Sequence, residues 1–534
     1  MSDSTAGRYL AALRDGRLRR LVLIGAVASL VVPLELGGTG VARSTPGEPT
    51  IAAAPDAASP KPRTIITQDG EVDDMDSFIR FLYYANEFDI EGIVHSSSIF
   101  HWRGADPDAP AGPTACGGWA GRGPCTEPWR WTGTEWVDEY IDRYEEIYPN
   151  LIKHADGYPT PDYLRSIYRI GNVDWSGAMS KDTAGSDLIK SVLLDDEPGP
   201  VYVQAWGGLN TLARALKSIE LDYSGTSKWH AIQQKISDKL VIYNILTQDD
   251  TLAAYIRPNW PDVKIIDNQS QFWSFAYNWD RTVPEPYQYT LKADYMVSNF
   301  LEGHGSLLER YRTYGDEKPV PGEDRDIRWT PESIAPGGQY ERYDKYDFIS
   351  EGDSPAFMHL LDGNGLRARE NPTWGGWGGR FAEVGYGWLD TSDYNPFTGQ
   401  NDRSFPQTRW VEAIQNDFAA RADWGVSGYD DANHNPRARV PQGLDRTRRP
   451  GHPVVLTPRV TDPDGDAVTV DWWQYQEAGT YPGDVDLTTN PGGVTRFRVP
   501  DDAQPGQTIH LILEATDDGT PALTHYQRVV VTVR

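Results

Sequence analysis

The chain has 534 residues, which is too long for one hydrophobic core and suits one large domain with a smaller one. Hydrophobic residues make up 39% of it, with 19 Trp and 28 Tyr, and this composition excludes a disordered chain. The formal net charge of −27 argues against nucleic acid as a partner, because binding a polyanion requires a basic surface.

Residues 1–42 have the pattern of a signal peptide. A basic stretch ends at Arg20, an apolar run covers 21–34, and small residues up to Ala42 offer a cleavage site. The run is shorter than the ~20 residues that span a bilayer, so we expect no stable membrane insertion, with a membrane anchor as the alternative. Residues 43–62, rich in Pro, Ala, Ser and Thr, are interpreted as a disordered linker. The sequence therefore predicts a secreted, extracytoplasmic protein.

From residue 63 the pattern alternates between strands and helices. The predicted strands cover 64–67, 90–95, 201–205, 239–243 and 263–266. The predicted helices cover 75–84, 136–147, 161–170, 186–194, 209–216, 251–259, 353–360 and 409–420. This alternation predicts an α/β, Rossmann-like domain over 63–432, with a mostly parallel sheet flanked by helices. Such sheets bind ligands beyond the carboxyl ends of their strands, so we expect the loops after the strands to converge on one site.

The amino-acid composition of the chain changes after residue 432. Residues 433–450 are rich in Pro and Arg and are interpreted as a linker, and short alternating runs then follow over 454–456, 467–472, 493–499, 508–515 and 527–533. Their spacing predicts an Ig- or cadherin-like β-sandwich over 451–534. The acidic turn 462–466 is either a Ca²⁺ site or a plain turn. Trp472 and Trp473 are neighbours on a strand and face opposite ways, and an outward ring would support glycan stacking.

The two cysteines of the chain are Cys116 and Cys125. Outside the cytoplasm we expect them to form a structural disulfide, with a reactive pair as the alternative. Two thiols alone make a poor zinc site.

Four acidic residues follow the first predicted strand within six positions: Asp69, Glu71, Asp73 and Asp74. Carboxylates this close repel one another unless a cation offsets their charge. Oxygen ligands suit Ca²⁺ or Mg²⁺, and a carboxylate beside an activated water can take its proton. The alternative is an acidic loop that caps the following helix through Asp73 or Asp74.

These residues also resemble the nucleoside hydrolases, whose first strand ends in Asp-x-x-x-Asp-Asp. Residues 205–213 are similar to the family's glycine turn, with Asn210 at the position whose backbone carbonyl contacts the metal, and Asp353 falls at the late ligand that opens a helix. The resemblance, which covers 63–424, implies Ca²⁺ as cofactor, with Asp69, Asp74, Asn210 and Asp353 as metal ligands. It also implies Asp69 as the catalytic base and Asp73 as a substrate-hydroxyl contact.

The chain is more similar still to a bacterial subfamily of exported nucleoside-hydrolase-like proteins, some described as cellulose-binding, with the same β-sandwich tail. The residues that carry this resemblance are 206–213, 248–250, 256–259 and 371–380. Trp206, Trp374 and Trp377 are the rings expected to bind substrate, because glycines beside them bring backbone close to a ligand. The alternative for 371–380 is a tightly packed structural turn.

Three positions depart from the nucleoside hydrolase pattern: Thr67, the run Ser96 to Ser98 where the family holds ribose, and Gly352 where it often has a histidine acid. The leading hypothesis is an exported hydrolase of an N-glycosyl, nucleoside-like or other glycan bond through a Ca²⁺-activated water. Glu71, Asp249 and Asp250 are candidates for the leaving-group acid by residue type alone. The alternatives are a carbohydrate-binding protein, with cellulose as one ligand, that has lost catalysis, and a scaffold with a purely structural metal.

Overall fold

The computed structural model describes residues 60–104, 109, 124–324 and 326–534. The predicted signal peptide, the predicted linker up to residue 59 and Cys116 lie outside the described residues. Backbone contacts divide the chain into one unit of Lys61–Asp393 with Asp402–Arg534 and a second unit whose described part is Pro60 and Tyr394–Asn401. Within the described ranges, no helix is long and apolar enough to cross a membrane.

The large unit is built on an eight-stranded sheet in the order β3-β2-β1-β4-β5-β6-β8-β7. Its strands are β1 (Arg63–Gln68), β2 (Asp89–His95), β3 (Tyr168–Ile170), β4 (Val201–Ala205), β5 (Leu240–Ile245), β6 (Lys264–Asn268), β7 (Phe381–Val384) and β8 (Gly387–Asp390). All neighbours are parallel except β7 and β8. The strand order changes direction between β1 and β4, which is where open α/β sheets form a ligand-binding crevice.

Alternate strand residues enter two separate cores, because successive side chains on a strand face opposite ways. Ile66 and the helix residue Phe78 belong to one core, and Ile65 and Leu212 belong to the other. Helices therefore cover both faces of the sheet. They are α1 (Val72–Tyr83), α2 (Glu135–His154), α3 (Pro161–Ile167), α4 (Ala184–Leu194), α5 (Asn210–Tyr223), α6 (Trp229–Lys239), α7 (Arg257–Asn259), α8 (Trp279–Thr282), α9 (Ala293–Met296), α10 (Pro331–Ile334), α11 (Ser354–Met358), α12 (Phe405–Thr408) and α13 (Val411–Trp424).

The predicted α/β domain with its mostly parallel sheet is confirmed. The predicted helix 251–259 is a π-helical turn, Leu252–Ile256, that continues into α7. The end of the predicted helix 161–170 is instead the short strand β3. Sequence analysis missed α6, β7 and β8, whose exposed faces carry weak apolar periodicity.

The C-terminal region is rich in strands, which form mostly antiparallel sheets. After the hairpin strands β9 (Asp393–Asn395) and β10 (Gln400–Asp402), they are β11 (Arg437–Arg439), β12 (Asp445–Arg448), β13 (Pro453–Leu456), β14 (Arg459–Thr461), β15 (Thr469–Gln474), β16 (Thr488–Thr489), β17 (Thr495–Arg498), β18 (Thr508–Thr516) and β19 (Thr524–Val533). One sheet has the order β12-β19-β18-β15 and another the order β13-β17-β16.

The prediction that 433–450 is a linker is wrong for much of its length. Strand β12 pairs with β19, and β11 pairs with β14, so both belong to the strand-rich region. Exposed and half-buried positions alternate along β12, but all four of its residues are polar. An analysis of apolar periodicity therefore does not detect this strand.

The strand-rich region is packed against the α/β domain through buried polar contacts. The guanidinium of Arg528, which is fully buried, donates to the carbonyl oxygens of Leu366 at 2.6 Å and Gly375 at 2.8 Å. Trp472 lies in the core of the strand-rich region. The ring of Trp473 lies 5.8 Å from the ring of Trp410, the residue directly before α13. The ring on the far side of the strand thus contacts protein, which removes the predicted support for glycan stacking there.

Candidate active site

A cavity of about 310 Å³ opens at the carboxyl edge of the sheet, beside the β1/β4 crevice. Loops after five strands contribute to it, as expected: those after β1, β2, β4, β5 and β6. Its lining residues are Glu71, Asp73, Asp74, Phe100, Trp129, Arg130, Trp206, Ile245, Leu246, Gln248, Phe272, Trp273, Tyr277, Arg328 and Asp353. The convergence follows from parallel strands, whose carboxyl ends meet at one edge.

The acidic loop is a tight turn between β1 and α1. Gly70 adopts a φ of +84°, and a Cβ there would lie 2.4 Å from Thr132 Oγ1, so the turn requires glycine. Asp74 accepts hydrogen bonds from the backbone N–H of Asp69 at 3.1 Å and of Glu71 at 3.0 Å. Asp74 therefore caps the start of α1, as the alternative interpretation expected, and also faces the cavity.

Three carboxylates meet at the floor of the cavity. Asp73, Asp74 and Asp353 each offer an oxygen within 4.8 Å of the others. Burial, then the charges of Glu71 and Asp69, raise the pKa of Asp73 to about 8. Burial, then neighbouring aspartates, likewise raise the pKa of Asp74 and of Asp353 well above the usual range. A bound cation would relieve the repulsion among these buried carboxylates, so the raised pKa values indicate a cation site.

Asp69 lies beside this cluster and is 1% exposed. Its Oδ1 accepts from the backbone N–H of Glu71 at 3.4 Å, while its Oδ2 has no hydrogen-bond partner among the described residues. A buried carboxylate oxygen without a donor is costly unless a cation or a water occupies its free side. The all-oxygen donor set of Asp69, Asp73, Asp74 and Asp353 fits Ca²⁺ or Mg²⁺, and three of these four are the predicted side-chain ligands.

A hydrogen-bonded network that sequence analysis missed stands behind the cluster. His101 Nε2 lies 2.5 Å from Glu323 Oε1, and its Nδ1 lies 3.8 Å from Asp69 Oδ1. Arg130 donates twice to Glu323, at 2.6 and 2.7 Å, and once to Glu71 at 3.3 Å. No motif marks these residues, since they come from irregular segments between the regular elements.

The network is strongly polarised. Burial alone would lower the pKa of His101, but the Glu323 carboxylate outweighs it, so the pKa of His101 is raised. Burial alone would raise the pKa of Glu323, but His101 and Arg130 lower it to about 2. The raised pKa favours the protonated form of His101, which lies beside the acidic loop and would offset part of its charge.

Half-buried aromatic rings form the rim of the cavity: Phe100, Trp129, Trp273 and Tyr277. The predicted Trp206 also lines it, though it is only 1% exposed. Sugars and nucleobases stack on flat aromatic rings of this kind, while polar groups below the rings can bond to them.

Two predicted substrate-binding rings lie elsewhere. Trp377 is 3% exposed and belongs to the α/β core, and the ring of Trp374 lies 5.2 Å from that of His510. Neither lines the acidic cavity, so the structure does not bring them together with Asp73 and Trp206. The glycines around them pack tightly: a Cβ at Gly378 would lie 2.5 Å from the backbone of His359.

Asn210 begins α5, and its side chain is occupied within the protein. Its Nδ2 donates to three oxygens, including the carbonyl of Asn172 at 2.7 Å, and its Oδ1 accepts from Ser96 at 2.8 Å. Any ligand contact from Asn210 would thus come from its backbone carbonyl, which stays a prediction. Ser97 similarly donates to the carbonyl of Trp175 at 2.8 Å, so the serine run serves structure rather than the cavity wall.

Among the candidate acids, Glu71 lines the cavity and accepts from the hydroxyl of Tyr277 at 3.1 Å. Asp249 is buried and bonded to Thr251, and neither it nor Asp250 lines the cavity. In the strand-rich region, carboxylate oxygens of the acidic turn at Asp462, Asp464 and Asp466 lie within 4.8 Å of one another.

The predicted disulfide falls partly on Cys116, outside the described residues. Its partner Cys125 is fully buried in a small cluster with Trp102 and Trp175. The pairing stays a prediction.

Comparison with known proteins identifies two matching families. The family described as "Cellulose-binding Sde182, nucleoside hydrolase-like domain" matches residues 63–381. The family described as "Cellulose-binding protein Sde0182, C-terminal domain" matches residues 454–533. A search of curated proteins finds no significant match.

Among solved structures, a nucleoside hydrolase-related hypothetical protein from Saccharophagus degradans, described as associated with carbohydrate metabolism, is similar to this chain. The two share 28% identity with a TM-score of 0.64, and the match covers 89% of this chain and 100% of that one. The effector protein XOO4466 shares 10% identity with a TM-score of 0.32, over 69% of this chain and 95% of that one.

Proposed function

Because the chain belongs to the family of cellulose-binding Sde182 proteins with a nucleoside hydrolase-like domain, we propose that it is an exported hydrolase of glycosidic bonds that uses Ca²⁺. One observation carries the proposal: a floor of mutually repelling carboxylates, Asp73, Asp74 and Asp353, faces a rim of half-buried aromatic rings in one cavity. The floor suits a cation and the rim suits a sugar ring.

Asp69, Asp74 and Asp353 would hold the cation, with the backbone carbonyl of Asn210 as a further ligand. When bound, Ca²⁺ supplies Lewis-acid activation of water and offsets the charge of the carboxylates. Asp69 serves as the general base, because its Oδ2 is buried and has no hydrogen-bond donor among the described residues. In the proposed step the water's oxygen attacks the anomeric carbon and the water's proton passes to Asp69. The glycosidic bond breaks with its electron pair on the leaving group, which takes up a proton from solvent.

The remaining groups orient the ligand and the base. Arg130 and Tyr277 both donate to Glu71, which fixes this carboxylate on the cavity wall as an acceptor for a sugar hydroxyl. The ring of His101, with its Nδ1 3.8 Å from Asp69 Oδ1, orients the Asp69 carboxylate. Trp129 and Trp273 on the rim exclude water from one face of the bound ring.

A specific observation favours a second candidate, a carbohydrate-binding protein without turnover. Where nucleoside hydrolases hold ribose, the hydroxyls of Ser96 and Ser97 are bonded inside the protein. The rim remains suited to a glycan, and the family's description names cellulose as a ligand. Binding without hydrolysis follows if no substrate places its glycosidic bond over Asp69.

Turnover by the wild type separates the hydrolase from the binding protein. The variant Asp69→Asn tests the base, because it keeps the shape of the side chain and removes the basic oxygen. We expect the wild type to cleave at least one of a panel of nucleosides, nitrophenyl glycosides and cello-oligosaccharides in Ca²⁺, and the variant to lose at least about 10²-fold in rate. Asp187→Asn, at an exposed position in the first turn of α4, is the control and should keep the rate. Absence of turnover by the wild type on the whole panel, with retention on cellulose, would establish the binding protein instead.

A further inference from the structure

A second cavity, of about 880 Å³, lies at the opposite edge of the sheet from the acidic site. Tyr202, Val241 and Lys264, at the amino ends of β4, β5 and β6, line it, and Ala478 of the strand-rich region closes one side. It shares no lining residue with the acidic cavity. The position excludes it from the reaction that the carboxylate cluster performs.

His359 is the feature of this cavity that points to a ligand. It follows the last residue of α11, lines the cavity and is 1% exposed, yet neither ring nitrogen has a hydrogen-bond partner among the described residues. Burial, then the nearby Arg369, lower the pKa of His359 to about 3, so the imidazole is neutral. A neutral imidazole offers one donor and one acceptor, which matches a pair of neighbouring hydroxyl groups.

The two guanidinium groups that line this cavity are already paired within the protein. Arg369 donates to Asp362 at 2.9 Å, and Arg380 donates to Asp393 at 2.6 Å. Neither guanidinium is left to hold a carboxylate or a phosphate, and the carboxylates of Glu370 and Glu383 offset the charge of Lys264 in the lining, so the cavity favours an uncharged ligand. The half-buried ring of Trp388 on β8 adds a flat apolar surface to the lining.

We propose that this cavity is a second carbohydrate-binding groove, in which Trp388 stacks on a sugar ring of a neutral glycan and His359 bonds its hydroxyls. The proposal rests on the carbohydrate binding in the proposed function and adds a site that is separate from the bond-cleaving cavity. A chain held in the groove would tether the protein to an insoluble glycan while the acidic cavity stays open for a soluble end. Residues of both the α/β domain and the strand-rich region build the groove.

Titration of the full-length protein with cellohexaose by isothermal calorimetry tests the groove. We expect Trp388→Ala and His359→Phe each to weaken binding by about tenfold or more. The second variant keeps a ring in the core and removes the unpartnered nitrogens, so it should fold, as circular dichroism would check. Asp187→Asn, at an exposed position on α4 and outside both cavities, is the control and should bind cellohexaose as the wild type does.

The proposal is overturned if either groove variant binds cellohexaose as the wild type does, or if the wild type does not bind. These outcomes are independent of the proposed hydrolysis, which is read from turnover by the wild type and Asp69→Asn rather than from this titration.

Discussion

Replacing Asp353 with Asn should change the stability of the protein in opposite directions with and without calcium. Asp353 is 2% exposed, and burial with the charges of Asp73, Asp69 and Glu71 raises its pKa. The pKa of such a carboxyl group is higher in the folded than in the unfolded protein, where it is about 3.9. Below about pH 3.9 the group does not change the free energy of unfolding, and it lowers that free energy increasingly as pH rises toward the folded pKa. The metal-free protein should therefore lose stability between about pH 4 and pH 8, the pKa of Asp73.

The magnitudes follow from the same linkage. Each unit by which neighbours raise a pKa corresponds to about 1.4 kcal/mol, so Asp353→Asn should stabilise the metal-free protein at pH 8 by at least about 1 kcal/mol. Calcium at about 1,000 times its dissociation constant should stabilise the wild type by about 4 kcal/mol. Since unfolding entropy is about 2.1 cal/mol/K per residue, that is a rise in Tm of about 4 °C for a chain of this size.

Thermal melts at pH 5 and pH 8, in EDTA and in calcium, measure all four states. The calcium-induced rise in Tm should be larger at pH 8 than at pH 5 for the wild type and nearly absent for Asp353→Asn. Asp187→Asn, at an exposed position, should behave as the wild type. A variant that melts lower than the wild type in EDTA, and that calcium still stabilises fully, would refute the assignment of Asp353 as a ligand in a repelling cluster.

Two further substitutions probe how the fold supports the site. Gly70→Ala places a Cβ 2.4 Å from Thr132 Oγ1 at a φ of +84° and should cost more than about 2 kcal/mol in urea unfolding with at least tenfold weaker calcium binding. Gly199→Ala, at a φ of +90° with no atom within 4 Å, should cost only about 1 kcal/mol, and equal costs for the two would contradict the clash. Arg80→Met should destabilise the protein by about 3–5 kcal/mol, because it removes the donor 2.5 Å from Glu351 and leaves that carboxylate buried. A loss below about 1 kcal/mol in the same assay would argue against a stabilising Arg80–Glu351 ion pair.

The sequence is informative about the sheet because buried strands are short apolar runs with polar flanks. Strand β4, for example, is the predicted 201–205 without change. The rule that ligands lie beyond the carboxyl ends of parallel strands then places the acidic loop, Trp206 and Gln248 around one cavity before any coordinate is known. Asp353 is different, since no local pattern links it to a loop 280 residues earlier, and only the resemblance to a family motif brought it into the site.

The rest of the site escapes sequence reasoning for a physical reason. His101, Arg130 and Glu323 sit in irregular segments, where backbone direction depends on tertiary contacts and no periodicity records it. The motif containing Trp374 misled in the other direction. Tryptophans among glycines predict rings that stack on a ligand, but the ring of Trp374 packs against the protein's own His510 and does not line the acidic cavity.

Electrostatics narrow the ligand further. The chain carries a formal charge of −27, and three of its carboxylates lie near one another at the cavity floor. Among the described residues, six carboxylates surround the site once they are ionised: Asp69, Glu71, Asp73, Asp74, Glu323 and Asp353. They outnumber the positive charges of one divalent cation, His101, Arg130 and Arg328, so a small net negative field would remain at the site. Such a field repels nucleotides and uronate chains and leaves a neutral glycoside unaffected. This charge supports uncharged sugars as the ligands of the proposed reaction, which is the same class of ligand that we propose for the groove at the opposite edge of the sheet.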